Sequence, residues 1–214
     1  MGDRTDPRIQ IRPFADRCEY ERMVDYFLNA DEAFLEGMGV DPTKLPQRDA
    51  WIESAMLDHA RPEGEKDRAY LAWVCDGTLV GHSSINRIKV GEEAFIHLHL
   101  WAGSLRKAGL GTRFFEASIA EFMSRFRLRR LYCEPYAANP APNRVVMKLG
   151  FRLVKRYRTI PGPINFEQEV NQYVLDSSPG GGPGVGFQEN ESTRHSQTTD
   201  STRCLGGGRE HPLG

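Results

Sequence analysis

The chain has 214 residues, with 28 Lys+Arg against 29 Asp+Glu and a formal net charge of −1. That balance gives neither nucleic acid nor an anionic membrane surface an electrostatic claim on it. The apolar fraction is 39%, and no apolar run approaches the roughly 18 to 20 residues that span a bilayer.

The polar start, Met1-Gly2-Asp3-Arg4-Thr5-Asp6, lacks the apolar stretch of a secretory signal, so a soluble cytoplasmic protein is predicted. Residues 8–12 alternate at period two and predict an edge strand. Asp16 is placed to cap a helix through Met23, Val24, Phe27 and Leu28, and the breakers of residues 37–42 predict a loop. A second helix is expected from about Arg48, with Trp51, Ile52, Ala55 and Met56 on one face. Residues 69–75, the Asp76-Gly77 turn and residues 79–87 read as a hairpin. A third strand follows over 94–101, and a long amphipathic helix from about Gly109 carries Phe114, Phe115, Ile119, Phe122 and Met123. A short strand at 131–133, a Pro-rich turn, a helix near 143–149 and two terminal strands complete a mixed α/β domain over residues 1–176. Residues 177–214 hold nine glycines and only Val185, Phe187, Cys204, Leu205 and Leu213 as apolar side chains. Such a segment buries too little to offset its ordering entropy and is predicted to be a disordered tail. The four cysteines, Cys18, Cys75, Cys133 and Cys204, stand tens of residues apart. Structural zinc wants ligands about two to four residues apart. Free thiols and no metal are expected, and a disulfide framework is not.

The stretch from Leu100 to Thr112 carries the chemistry. An apolar strand enters a basic, glycine-containing turn, Arg106-Lys107-Ala108-Gly109-Leu110-Gly111, which opens a helix. Unpaired N–H groups and the helix dipole make such a start an anion site, and the glycines let the backbone approach a ligand closely. A dinucleotide fingerprint would need a third glycine where Phe114 stands, and the Gly-Lys-Ser/Thr of a P-loop is absent. What remains is Arg106-x-x-Gly109-x-Gly111. Further on come Leu131-Tyr132-Cys133-Glu134, then Asn139, then Val145-Val146-Met147-Lys148-Leu149-Gly150-Phe151.

In this order and spacing the two motifs resemble the acetyl-CoA loop and the closing Asn-helix-Gly-Phe segment of GNAT-type N-acetyltransferases, over about residues 8–176. The resemblance implies a mostly antiparallel twisted sheet with helices on both faces. It also implies acetyl-CoA as cosubstrate, and direct acetyl transfer to a primary amine of a small molecule or of a protein N-terminus or lysine. It assigns pyrophosphate binding to the amides of Arg106, Lys107, Ala108, Gly109, Leu110, Gly111 and Thr112. The pantetheine arm falls to the backbone of Leu100, Trp101 and Ala102, with Asn139 and Asn143 beside it. A CoA-binding module without activity, a phosphate- or nucleotide-binding protein, and a monomer or a homodimer all stay open. Where many relatives carry a tyrosine that protonates the CoA thiolate, this chain has Val146. Tyr136, Asn143 or water are the open substitutes.

An ammonium has no lone pair, so transfer needs a base. Residues 95–101 put His97 and His99 on one strand face, and imidazole ordinarily titrates in the useful range. A His-x-His on this strand also resembles serotonin N-acetyltransferase, with His97 matching the second histidine. Glu92 and Glu93, at the strand's start, are runners-up. Trp51, Phe34 and Met38, with residues 165–169 between the last strands, are candidate walls for the acceptor, Glu167 or Glu169 attracting its charge.

Overall fold

The computed structural model describes residues 6–105 and 109–177. Arg106, Lys107, Ala108 and the predicted tail beyond Ser177 lie outside the described residues. In chain order the elements are β1 (Ile9–Pro13), α1 (Arg17–Leu28), α2 (Glu32–Gly37), α3 (Arg48–His59), β2 (Arg68–Cys75) and β3 (Thr78–Lys89). They continue with β4 (Glu93–Leu100), α4 (Leu110–Arg125), β5 (Arg130–Cys133), α5 (Pro140–Lys148), β6 (Arg152–Thr159) and β7 (Gln168–Asp176).

Local chemistry sets most boundaries. Asp16 caps α1 by accepting from the Glu19 amide, and Asp31 does the same for α2 at Phe34. Asp76 and Gly77, with φ of 48° and 79°, make the tight β2–β3 turn that a right-twisted hairpin prefers. Pro140 occupies the first turn of α5 behind the capping Asn139, so this helix starts earlier than the predicted 143. The six-residue α2 was not predicted, since one and a half turns are too short to show a helical period.

The strands form one sheet in the order β1-β2-β3-β4-β5-β7-β6. Every pairing is antiparallel except that of β4 with β5. Side-chain alternation divides the sheet's neighbours into two layers. On one face Leu71, Trp73, Ile85, Ala94, Ile96 and Leu131 pack against Phe114, Phe115 and Phe122 of α4 and Val146 of α5. Trp73 stacks on Phe114 at 5.2 Å, and its indole N–H donates to Ser118 Oγ at 2.9 Å, so the burial leaves no orphan donor. Each fully buried side chain of this size contributes roughly 1.5–3 kcal/mol. On the other face Ala72 and Tyr70 meet Tyr20, Met23 and Val24 of α1 and Ile52 and Ala55 of α3. Cys75 and Cys133 are buried free thiols.

Candidate active site

The two parallel strands hold together only briefly. β4 pairs with β5 at Glu93↔Arg130, Ala94↔Leu131 and Phe95↔Tyr132, and no further. Beyond Phe95, β4 keeps β3 along one side to Leu100, while β5 keeps β7. The sheet therefore opens into a V between its central strands. Phe95 and Tyr132 stack at its closed end, ring centroids 5.1 Å apart, with the Arg87 guanidinium 4.8 Å over Phe95.

At the open end stands the start of α4. Gly109 caps it with φ of 73°, a left-handed conformation that side chains with a Cβ disfavour. Its carbonyl accepts from the Thr112 and Arg113 amides. Among the described residues, a Cβ at Gly109 would meet nothing within 4 Å, and one at Gly111 only Leu100 Cδ2 at 3.7 Å. Nothing among the described residues crowds either glycine at this helix start, an arrangement that can accommodate an anion. The other predicted loop positions, Arg106, Lys107 and Ala108, lie outside the described residues. Among the proposed pantetheine contacts, the Trp101 and Ala102 amides are already spent on Val80 O, at 2.8 and 3.3 Å. Of the backbone groups expected to meet the pantetheine arm, these two N–H groups are thus engaged within the sheet.

On the far arm of the V, Asn139 Oδ1 accepts from the Ala141 amide. Asn143 Nδ2 donates to the carbonyls of Tyr136 and Asn139, at 2.9 and 2.6 Å. Its Oδ1 accepts from Asn171 Nδ2 and the Tyr173 hydroxyl, at 2.8 and 3.1 Å. Two donors and two lone pairs are all the amide has, so Asn143 ties the 136–139 turn to α5 and β7. All four of its hydrogen-bonding positions are engaged within the protein. Val146 is fully buried in the α4–α5 core. The position where relatives carry a tyrosine is a packing position here.

The two predicted histidines do share a face. His97 lies opposite Ser84 and His99 opposite His82. His99 is hemmed in by Phe27 at 5.1 Å, Tyr26 at 5.8 Å and His82, stacked on it at 4.9 Å. His82 Nδ1 accepts the Trp101 indole N–H at 3.0 Å. Because an indole only donates, His82 is neutral, with its proton on Nε2. Burial drives all three imidazoles down: His82 well below its ordinary value, His97 to about 4 with Arg87 and Arg68 assisting, and His99 to about 3 with His97 assisting. The midpoint near neutrality expected of an unperturbed imidazole is not what this site provides.

His97 stands two residues past Phe95, on the helix-covered face of the open part of β4. Glu134, two residues past Tyr132, is its counterpart on the other arm. Glu134 Oε1 accepts from the Tyr157 hydroxyl and from Gln172 Nε2, both at 2.5 Å. Burial and this bond push Tyr157 up to about 12. Sequence reading passed over both His82 and Glu134. Alternation from Tyr132 puts Glu134 on its face, whereas His82 is brought beside His99 only by the β3–β4 register. Glu92 and Glu93 sit at the closed end, with Glu93 bonded to Lys89 at 2.8 Å, away from the opening.

The roof over this face comes from two distant loops. Val40 bridges Asn165, the Asp41 amide donates to Ile164 O, and the side chains of Asn165 and Gln168 both donate to Gly39 O at 2.7 Å. Glu167 and Glu169, the predicted attractors of a cationic acceptor, are engaged by Arg158 and Arg156 at 2.9 and 2.6 Å.

Residues 8–152 match the family model described as an acetyltransferase (GNAT) domain. The chain therefore belongs to the GNAT acetyltransferase family, and it is an acetyl-CoA-dependent acyltransferase. Solved structures agree in fold. A ribosomal L7/L12 α-N-protein acetyltransferase in complex with coenzyme A superposes with a TM-score of 0.65 at 18% identity, over 78% of this chain and 93% of that one. Spermidine N-acetyltransferase from Vibrio cholerae, with CoA and spermine, gives 0.64 at 12% identity, over 78% and 95%. Ribosomal-protein-S5-alanine acetyltransferase from Vibrio fischeri gives 0.65 at 14%, over 80% and 94%. No curated protein matches the sequence.

Proposed function

We propose that the chain transfers the acetyl group of acetyl-CoA directly to a primary amine, on a small molecule or at a protein N-terminus or lysine. The observation that carries this reading is the V between β4 and β5, with the glycine-bearing start of α4 at its mouth and a polar face behind it. Family membership supplies the thioester. The names of the similar enzymes, which act on ribosomal-protein N-termini and on spermidine, supply the acceptor class. The pyrophosphate is proposed to lie against the amides around Gly109 and Gly111, and Asn139 to border the pantetheine arm.

The amine nitrogen attacks the thioester carbonyl, the C–N bond forms, the C–S bond breaks, and CoA leaves as the thiolate that water protonates. One proton must leave the attacking nitrogen. His97 is the proposed acceptor, at the first open position of β4. An imidazole held near 4 cannot strip a free ammonium, so the amine arrives neutral. Once bonded to the carbonyl carbon, the same nitrogen is a far stronger acid, and a weak base suffices. The rate is therefore expected to rise with pH through the acceptor's own amine pKa, with no histidine step between about 5 and that rise.

Two measurements test this. Thiol release from acetyl-CoA is followed against N-terminal peptides, lysine peptides and polyamines; binding of acetyl-CoA without turnover on any of them would leave a CoA-binding module. With the acceptor so found, His97→Gln is expected to lower kcat by about 10² to 10⁴ while acetyl-CoA affinity holds. Full kcat in that variant would remove His97 from the chemistry.

A further inference from the structure

The end of α4 opposite Gly109 borders a second cavity. The helix is 16 residues long, which puts Arg125 about 24 Å from the helix start where the pyrophosphate is proposed to lie. Beside Arg125 come His59, at the end of α3, and Lys66, Arg68 and Tyr70, where β2 begins and β1 has stopped at Pro13. The lining holds four basic side chains, drawn from three stretches of the chain, and no carboxylate. Its interior is small, about 10 Å³, close to the roughly 10–15 Å³ that one water molecule needs. A single oxygen atom fits inside, and the rest of any larger group stays at the mouth.

The neighbouring acids leave part of this charge unmatched. Glu63 takes Nε and Nη2 of Arg125, at 2.5 and 2.7 Å, and Nη1 makes no hydrogen bond among the described residues. Arg68 reaches Asp67 only at 3.8 Å. Asp58 is occupied by the Asp67 and Arg68 amides and by Arg61. Lys66 donates to the carbonyls of Asp58 and His59, which caps α3 but leaves the ammonium charge whole. Among the described residues the lysine ion pairs are those of Lys44 and Lys89, so no carboxylate pairs with Lys66. The excess registers on the lining itself. Burial, then Lys66 and Arg125, hold His59 below its ordinary value, and burial, then Arg125, hold Lys66 below its own. We propose that this cavity binds a phosphate-type oxyanion, with one oxygen inside among Lys66, Arg68 and Arg125 and the others at the mouth. Guanidinium and ammonium donors make short, charge-assisted hydrogen bonds to such a group. The bound anion ties the ends of α3 and α4 to the start of β2, at the opposite end of α4 from the acyl transfer.

The test titrates inorganic phosphate into the full chain at constant ionic strength and follows the His59 ring by proton NMR. Phosphate is expected to shift the ring resonances saturably and to raise the His59 midpoint by about one unit, because an anion beside an imidazole favours the imidazolium. Chloride at the same ionic strength is expected to do neither. Phenyl phosphate separates the two sources of such a group: equal affinity assigns the site to the free ion, tighter phenyl phosphate to a phosphoryl group on a larger molecule, and either result upholds the proposal. Lys66→Gln and Arg68→Gln are each expected to weaken phosphate binding about tenfold or more, the loss of a hydrogen bond to a charged group. Gly111→Val, at the other end of α4, is expected to leave the His59 response unchanged. No saturable shift with either phosphate, an equal response to chloride, or loss of the response in Gly111→Val overturns the proposal. So does binding of wild-type strength in both charge variants. If Lys66→Gln does not fold for want of its cap on α3, Arg68→Gln decides the matter alone.

Discussion

Under α1, the imidazoles of His82 and His99 lie stacked between Tyr26, Phe27, Phe14 and Trp101, and His97 follows on the same face of β4. All three are neutral in the folded chain because burial penalises the imidazolium. In the unfolded chain each titrates near 6.5. Their folded values are depressed, so their contribution is fully present above about pH 6.5. It is lost as pH falls from there toward about 4 for His97 and about 3 for His99. Unfolding near pH 5 should thus take up about one proton per buried histidine. His99→Phe keeps an aromatic ring in the nest and removes one of those protons. Urea unfolding between pH 4.5 and 6.5 is expected to show a shallower pH dependence in the variant by about one proton. An unchanged slope would mean that His99 already titrates normally in the fold. The sequence disclosed the His97–His99 pair, because alternation is local. It did not disclose that His82 lies against His99, nor that Glu134 reaches Tyr157 and Gln172, since those contacts follow from the register of strands far apart in the chain.

The turn into α4 was the most legible element, and for a definite reason. A glycine at φ of 73° and another two residues on, at the second position of the helix, mark a helix start that a ligand can approach closely, whatever the rest of the fold does. The structure separates their roles. Gly109 is needed for its backbone angle, whereas Gly111 lies in regular helix, where a Cβ would make only an ordinary contact with Leu100. Gly111→Val is therefore the cleaner probe. It is expected to fold with little loss of stability and to lose acetyl-CoA binding by calorimetry, because the isopropyl group fills the space beside the helix start. Normal binding in that variant would place the cosubstrate elsewhere. The roof was less legible. Residues 37–42 read as a loop and residues 165–169 as a candidate wall, but nothing local said that one grips the other. Gly39 shows the fit: its φ is 81°, and a Cβ there would run into the Gln168 amide. Gly39→Ala is expected to destabilise the domain by about 1–3 kcal/mol and to raise KM for the acceptor more than for acetyl-CoA. Separate titrations of the two substrates check this.

Across the whole molecule, the fold class could be read from the alternation of helices with strands, while the strand order could not. Short connections favour neighbours in sequence, and the sheet obeys that from β1 to β5. It then departs, because β7 lies between β5 and β6. The outer edges are safe in the finished protein: β1 ends in Arg12 and Pro13, and β6 carries Arg152, Lys155, Arg156 and Arg158.

The order of β7 and β6 also sets a timetable for a growing chain. As synthesis proceeds, β6 is complete before it has any strand to pair with, and the far side of β5 stays bare until residues 168–176 emerge. Closure of the right half of the sheet, the fixing of Asn143 by Asn171 and Tyr173, and the grip on Gly39 all wait for that last strand. A nascent chain stopped anywhere short of it presents an open apolar edge, the condition under which chains associate wrongly. The strand that fixes Asn143 and grips Gly39 is thus the last of the sheet to be made.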